Sequence, residues 1–211
     1  MWDDVGGVIA HVDACVDKAR KGVSKLPPGI FHVRGMSGSK TRMLYNAMCE
    51  PPGTRYLEIG CWAGSTFVSA LHGNPGTHGT VIDDWSEFGG PCDEFFKNVR
   101  TWLPATADIK VLEGDYLDLA PALEPGKFNV YLYDGPHSEE SHADAVTKLY
   151  HALAKPCVFM VDDWAFESVR KGTKRGLDEV GATIAHVSEV LPFRGEDPHG
   201  FWNGICIFVL A

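Results

Sequence analysis

The sequence predicts an α/β protein built on one mainly parallel sheet. Three observations lead there. From residue 54 onward, short apolar runs alternate with helical segments, the pattern of a parallel sheet covered on both faces. Acidic residues stand at or just past the ends of five successive strand segments: Glu58, Asp83 with Asp84, Asp115, Asp134, and Asp162 with Asp163. The last two strand segments follow one another without a long helix between them.

The elements follow in order. Val5, Val8, Ile9, Val12 and Val16 recur at helical spacing, so residues 3–21 form a helix. The stretch KLPPGIFHVRGMSGS is a loop, and 40–49 is a second helix stopped by EPPG. RYLEIG (55–60) is a strand and STFVSALHG (65–73) a helix. GTVIDDW (79–85) is a strand and DEFFKNVRTWL (93–103) a helix. DIKVLEGD (108–115) and FNVYLYDG (128–135) are further strands. Residues 138–153 form an amphipathic helix with Ala143, Val146, Leu149, Tyr150 and Leu153 on one stripe. PCVFMVDD (156–163) is a strand, 164–180 a helix, and strands near 182–190 and 204–210 close the chain.

Composition bounds what such a chain does. With 211 residues it can bury a full single core, and 45% hydrophobic with 22% charged residues is ordinary for a soluble globular protein. A formal charge of −9 argues against nucleic acid or an anionic membrane as main partner. None of the six cysteines forms a CxxC pair, which points to a reducing, cytoplasmic setting. The N-terminus is too acidic and interrupted for a signal peptide. No apolar run approaches the roughly 20 residues that span a bilayer.

In parallel sheets of this kind ligands bind beyond the carboxyl ends of the strands. The acids gather there, so an acid-lined crevice is expected. LEIGCWAGST (57–66) joins the first strand to its helix, and Gly60 and Gly64 permit a tight turn and close backbone approach to a ligand. The pattern is E-x-G-x-x-x-G. It departs from the dinucleotide-binding G-x-G-x-x-G because Trp62 holds the middle glycine's place. GMSGSKT (35–41) is not a phosphate loop: no glycine immediately precedes Lys40 and no strand leads into it.

Taken together, YLEIGCWAGSTFVSAL, VIDDWSEF, VLEGDYLDL, YLYDGPHSEESHADAV and VFMVDDW resemble, in order and spacing, class I S-adenosylmethionine-dependent methyltransferases. The resemblance is nearest to a metal-dependent O-methyltransferase branch that includes sugar and natural-product methylators, and covers about residues 30–170. It implies a Rossmann-like, doubly wound, seven-stranded, mainly parallel sheet closed by a C-terminal antiparallel hairpin. Residues 1–50 would supply helices and a covering loop, and residues 51–211 the cofactor-binding unit.

The resemblance also implies roles. Glu58 and the turn from Gly60 through Gly64 to Ser65 would face the methionine part of S-adenosylmethionine. Asp83 would accept from both ribose hydroxyls, with Asp84 its rival, and Asp115 with Tyr116 would lie near the adenine. Met36 and Ser37 would close over the cofactor, and Trp85 would either flank the adenine or be buried beneath the sheet edge. Asp134 would belong to the cofactor pocket and, with Asp162 and Asp163, hold Mg²⁺, because three crowded carboxylates would otherwise repel or protonate. The alternative is that Asp163 caps the next helix and Asp162 faces solvent. His137, three residues after Asp134, would be the general base toward an acceptor hydroxyl on a small molecule or sugar.

His72, His78, His142 and His151 read as surface residues, and Arg170, Lys171, Lys174 and Arg175 as a solvated basic face or a holder of an anionic substrate. The loop 194–204, with Phe201 and Trp202, would line the acceptor pocket or form a homo-oligomer contact. KPC at 155–157 replaces the glycine pair that often precedes this strand in the family. Two rival readings remain at this level: a Rossmann-like oxidoreductase or nucleotide-sugar enzyme, and a non-catalytic S-adenosylmethionine-binding protein.

Overall fold

The computed structural model describes residues 1–192 and 199–211. Seven strands form one sheet: β1 Arg55–Ile59, β2 His78–Asp83, β3 Asp108–Glu113, β4 Phe128–Tyr133, β5 Leu153–Val161, β6 Ile184–Val190 and β7 Ile205–Leu210. Their order is β3-β2-β1-β4-β5-β7-β6, with β1 to β5 parallel and β7 antiparallel to both β5 and β6. This is the doubly wound, mainly parallel sheet with an antiparallel end. Its winding reverses between β1 and β4, where Tyr56 pairs with Val130 and Ile59 with Tyr133. That reversal opens a crevice at the strands' carboxyl ends.

The helices cover both faces. α1 (Val5–Arg20) begins at Asp4, whose carboxylate accepts from the backbone N–H groups of Gly6 and Gly7. It buries Val8, Val12 and Val16 in one core with α2 (Ser39–Met48), α3 (Ser65–Leu71), α4 (Cys92–Trp102) and the adjoining face of the sheet. A short α5 (Tyr116–Leu119), with α6 (Glu139–Thr147) and α7 (Glu167–Glu179), lies on the other face. The central strands β4 and β7 are buried at every position, which explains their unbroken apolar runs. None of the six cysteines forms a disulfide, and all but Cys92 are buried. Among the described residues no helix is long and apolar enough to cross a membrane.

Two helix boundaries differ from expectation. The helix expected over 138–153 stops at Thr147, because Leu153 already opens β5 and pairs with Phe128. The last long helix starts at Glu167 rather than 164. Trp164 and Ala165 give their N–H groups to the carbonyls of Gly204 and Asn203, so the chain leaving β5 is tied to the turn before β7.

His142 is also a correction, being 2% exposed rather than on the surface. It lies between α6 and α7, edge-on to the Tyr133 ring, with Nδ1 3.5 Å from Thr173 Oγ1 and no partner for Nε2. Burial, followed by the nearby His137 charge, lowers its pKa from 6.5 to about 4. The folded state therefore holds this imidazole neutral. The stability this provides is complete above pH 6.5 and is lost as pH falls toward 4, by about 3 kcal/mol in all. His142→Phe should flatten the fall in denaturation free energy over that interval, measured against wild type by urea titration.

Candidate active site

A cavity of about 790 Å³ occupies the crevice at the switch point. One wall is the turn after β1. The Asp83 carboxylate at the end of β2 shapes it: Oδ2 accepts from the N–H groups of Cys61 and Trp62, both at 2.8 Å, and Oδ1 from Trp85 N–H at 2.7 Å. Trp62 takes a left-handed conformation (φ 47°) where a glycine would be unstrained. Its carbonyl accepts from Trp85 Nε1 at 2.8 Å, and its ring carries the Arg34 guanidinium at 4.4 Å. Trp85 is itself buried against Phe95 and Phe96, so of its two expected placements the structure has the core one.

Gly60 and Gly64 are both required by the packing of the chain, and Gly60 also lines the cavity. Both have positive φ, and a Cβ at Gly60 would lie 2.0 Å from the Asp134 carbonyl oxygen. At Gly64 it would lie 2.8 Å from the Phe95 ring. Glycine is needed at Gly60 because β1 and β4 leave the sheet side by side, and at Gly64 because α4 packs against the turn.

The opposite wall carries Asp115 and Tyr116. Asp115 caps α5 by accepting from Leu117 N–H at 2.8 Å, and Tyr116 donates to the Ser141 carbonyl at 3.1 Å. Asp84 stands at the exposed rim of the cavity, where it accepts from the backbone and side chain of Ser86. Met36, Ser37 and Ser65 complete the lining on the α2 side.

At the far end stands an imidazole–carboxylate pair. His137 Nε2 is 2.6 Å from Asp163 Oδ2, and the imidazole stacks on Phe166 with centroids 5.3 Å apart. Asp163 Oδ1 accepts from Asn203 Nδ2 at 2.7 Å. The hydrogen bond to Asp163 raises the His137 pKa above 6.5, against a smaller opposing effect of burial. Asp134 lies beside this pair on the cavity wall. Burial, then the charges of Asp162 and Asp163, push its carboxyl well above the usual carboxylate range.

A methyltransferase-domain family model matches residues 57–164, just over half the chain. The chain belongs to the methyltransferase-domain family. No curated protein matches it. Solved structures of the same fold include a Corynebacterium glutamicum protein with 16% identity and a TM-score of 0.63, covering 94% of this chain and 90% of that one. An S-adenosylhomocysteine-bound methyltransferase from Podospora anserina has 13% identity and a TM-score of 0.61, covering 95% and 88%. An O-methyltransferase from Bacillus cereus in complex with S-adenosylhomocysteine has 12% identity and a TM-score of 0.58, covering 96% and 91%. At these identities the likeness is one of fold.

In this methyltransferase most residues singled out from sequence line one cavity: Met36, Ser37, Gly60, Ser65, Asp83, Asp84, Asp115, Tyr116, Asp134, His137 and Asp163. Three do not. Glu58 is 0% exposed, and its oxygens accept from Thr66 Oγ1 at 2.5 Å and Tyr56 Oη at 2.7 Å. It points into the core, where burial pushes its pKa up to about 7. Gly64 sits behind the turn, against Phe95. Asp162 faces inward, with Oδ2 accepting from Tyr45 Oη at 3.2 Å and Oδ1 from Asp163 N–H at 2.9 Å. Burial and the Asp163 charge raise its pKa to about 8.

The three-carboxylate ion site expected from sequence is therefore not assembled. Among the described residues no three histidine, cysteine or acidic side chains are grouped to hold one cation. Two cavity carboxylates remain, Asp134 and Asp163. They suit Mg²⁺ in kind, because that ion is commonly held by one or two carboxylates and completes its shell with water and substrate oxygens.

Sequence reasoning missed Asn203 and Phe166, which fix Asp163 and His137. Trp202 and Asn203 line the cavity, so the described end of the 194–204 loop belongs to the pocket, while residues 194–198 lie outside the described residues. The basic cluster is largely neutralised on the protein's own surface. Lys171 pairs with Glu167, Arg175 with Glu139, Glu140 and Glu179, and Arg170 donates to the carbonyls of Trp164 and Ala165.

Proposed function

We propose that this methyltransferase transfers a methyl group from S-adenosylmethionine to a hydroxyl of a small molecule or sugar, with His137 as general base. The observation that carries this reading is the His137–Asp163 pair in the same cavity as the turn after β1. The cavity's donors and acceptors suit the cofactor: Asp83 and Asp84 keep acceptor capacity for ribose hydroxyls, and Ser37 and Ser65 offer hydroxyls.

S-adenosylmethionine, when bound, supplies an electrophilic methyl group. With Asp163 accepting from the Nε2–H, Nδ1 is the imidazole nitrogen left with a lone pair for an acceptor hydroxyl. Asp163 holds the ring and offsets the charge it gains with the proton, and Asn203 holds Asp163. Phe166 fixes the ring plane and excludes water from one face. Positioning of the acceptor against the cofactor contributes much of the rate.

Mg²⁺ is the finer part of the reading: Asp134 and Asp163 would hold it, and it would lower the pKa of the acceptor hydroxyl. Protein treated with EDTA should lose most of its turnover and regain it with added Mg²⁺, and Asp134→Asn should abolish the regain. Full turnover after exhaustive chelation would remove the ion from the mechanism.

A further inference from the structure

Among the described residues, Arg42 is a buried cation with no acidic partner. It stands in α2 and is 4% exposed. Its Nε donates to Ser37 Oγ at 2.9 Å, and its Nη1 to the carbonyls of Val33 at 2.9 Å and Ile30 at 3.2 Å. Burial lowers its pKa to about 10, and no described acidic group acts against that shift. The two carbonyls do not require a charge, because a neutral amide could serve them. A guanidinium held out of water without a counter-ion is costly and calls for a compensating partner.

The site of that partner follows from the loop above Arg42. A Cβ on Gly35 would lie 1.9 Å from Ser65 Oγ and 3.1 Å from Arg42 Nη2, so Gly35 lets the loop rest directly on both side chains. Ser37 Oγ and Ser65 Oγ are 3.3 Å apart. Gly35, Ser37 and Ser65 all line the cavity, while Arg42 lies one hydroxyl behind it. By donating to Ser37 Oγ, Arg42 occupies a lone pair of that oxygen and leaves its O–H free to point toward an acceptor in the cavity.

We propose that Arg42 is the counter-ion for the cofactor's α-carboxylate, acting through the Ser37 hydroxyl with Ser65 beside it, as a positioning residue for the methionine half. The inference rests on the proposed occupancy of this cavity by S-adenosylmethionine, whose only anionic group is that carboxylate. The buried charge would then be compensated when the cofactor binds.

Two probes separate this role from a structural one. S-adenosylhomocysteine carries the carboxylate, whereas 5′-methylthioadenosine keeps the nucleoside and thioether and lacks the amino-acid end. By calorimetry, Arg42→Gln should weaken S-adenosylhomocysteine about tenfold or more and leave 5′-methylthioadenosine unchanged. Arg42→Lys should restore part of the loss. Ser37→Ala should reproduce the selective loss in a fully folded protein, and it decides the matter if Arg42→Gln does not fold. Equal weakening of both probes, or unchanged S-adenosylhomocysteine binding, would overturn the role of Arg42 while leaving the cofactor reading intact. Failure of wild type to bind either probe would overturn both.

Discussion

Replacing His137 by alanine should lower methyl-transfer turnover by roughly 10²- to 10⁴-fold while S-adenosylhomocysteine affinity stays at the wild-type value. The side chain is 47% exposed and holds no part of the core. The His137 carbonyl, which accepts from Ser168 Oγ, survives the substitution, and Asp163 keeps its bond from Asn203. The fold and the cofactor wall should therefore be undisturbed, and the loss should fall on kcat. Turnover within a fewfold of wild type would remove His137 from the chemistry. A parallel loss of S-adenosylhomocysteine binding would make it a structural residue of the pocket.

Asp83→Ala should be the most damaging change on the cofactor wall. One carboxylate accepts from three backbone N–H groups, and losing it strands Cys61, Trp62 and Trp85 donors in a poorly solvated turn. Each stranded donor costs about 1–3 kcal/mol, and Trp62 already holds a left-handed conformation that needs support. The expected result is a clear fall in melting temperature together with loss of S-adenosylhomocysteine binding by more than about tenfold. Asp84→Ala is the control, since among the described residues the Asp84 side chain hydrogen-bonds only with Ser86. If Asp84 is the ribose acceptor, its removal should weaken binding without lowering the melting temperature. Unchanged binding in Asp83→Ala would mean that this turn does not form the cofactor wall.

Both variants bear on why the site was only partly legible in the sequence. Acid at the end of each of the five parallel strands marks a crevice in the sequence, and the sheet order puts those ends together. Which way each carboxylate faces was not announced by composition. Along the strands it follows from the alternation of side chains in an extended chain, and past β5 from the left-handed backbone at Asp163 (φ 56°). Of adjacent Asp162 and Asp163, one turns into the core onto Tyr45 and the other into the cavity onto His137. Asp83 turns onto the glycine turn while Asp84 stands at the exposed rim of the cavity. Glu58, one residue before the end of β1, faces the core for the same reason.

The remaining misses are long-range. Asn203 reaches Asp163 across 40 residues, and no local pattern around it signals that contact. His142 looked like a surface residue on an amphipathic helix because the second helix packing on its flank, α7, is invisible in the helix's own periodicity. Gly172 and Gly176 of α7 were the available hint. A Cβ at Gly172 would lie 2.1 Å from the Glu139 carbonyl oxygen, and one at Gly176 would lie 2.8 Å from that of Ala143. Two glycines one helical turn apart mark a close helix–helix approach.

The most direct test of the central claim, that this cavity is an S-adenosylmethionine site, is a thermal-shift titration of wild-type protein with S-adenosylhomocysteine and, separately, with NAD. A saturable rise in melting temperature is expected with S-adenosylhomocysteine, none with NAD, and loss of the rise in Asp83→Ala. A rise with NAD and none with S-adenosylhomocysteine would contradict that claim.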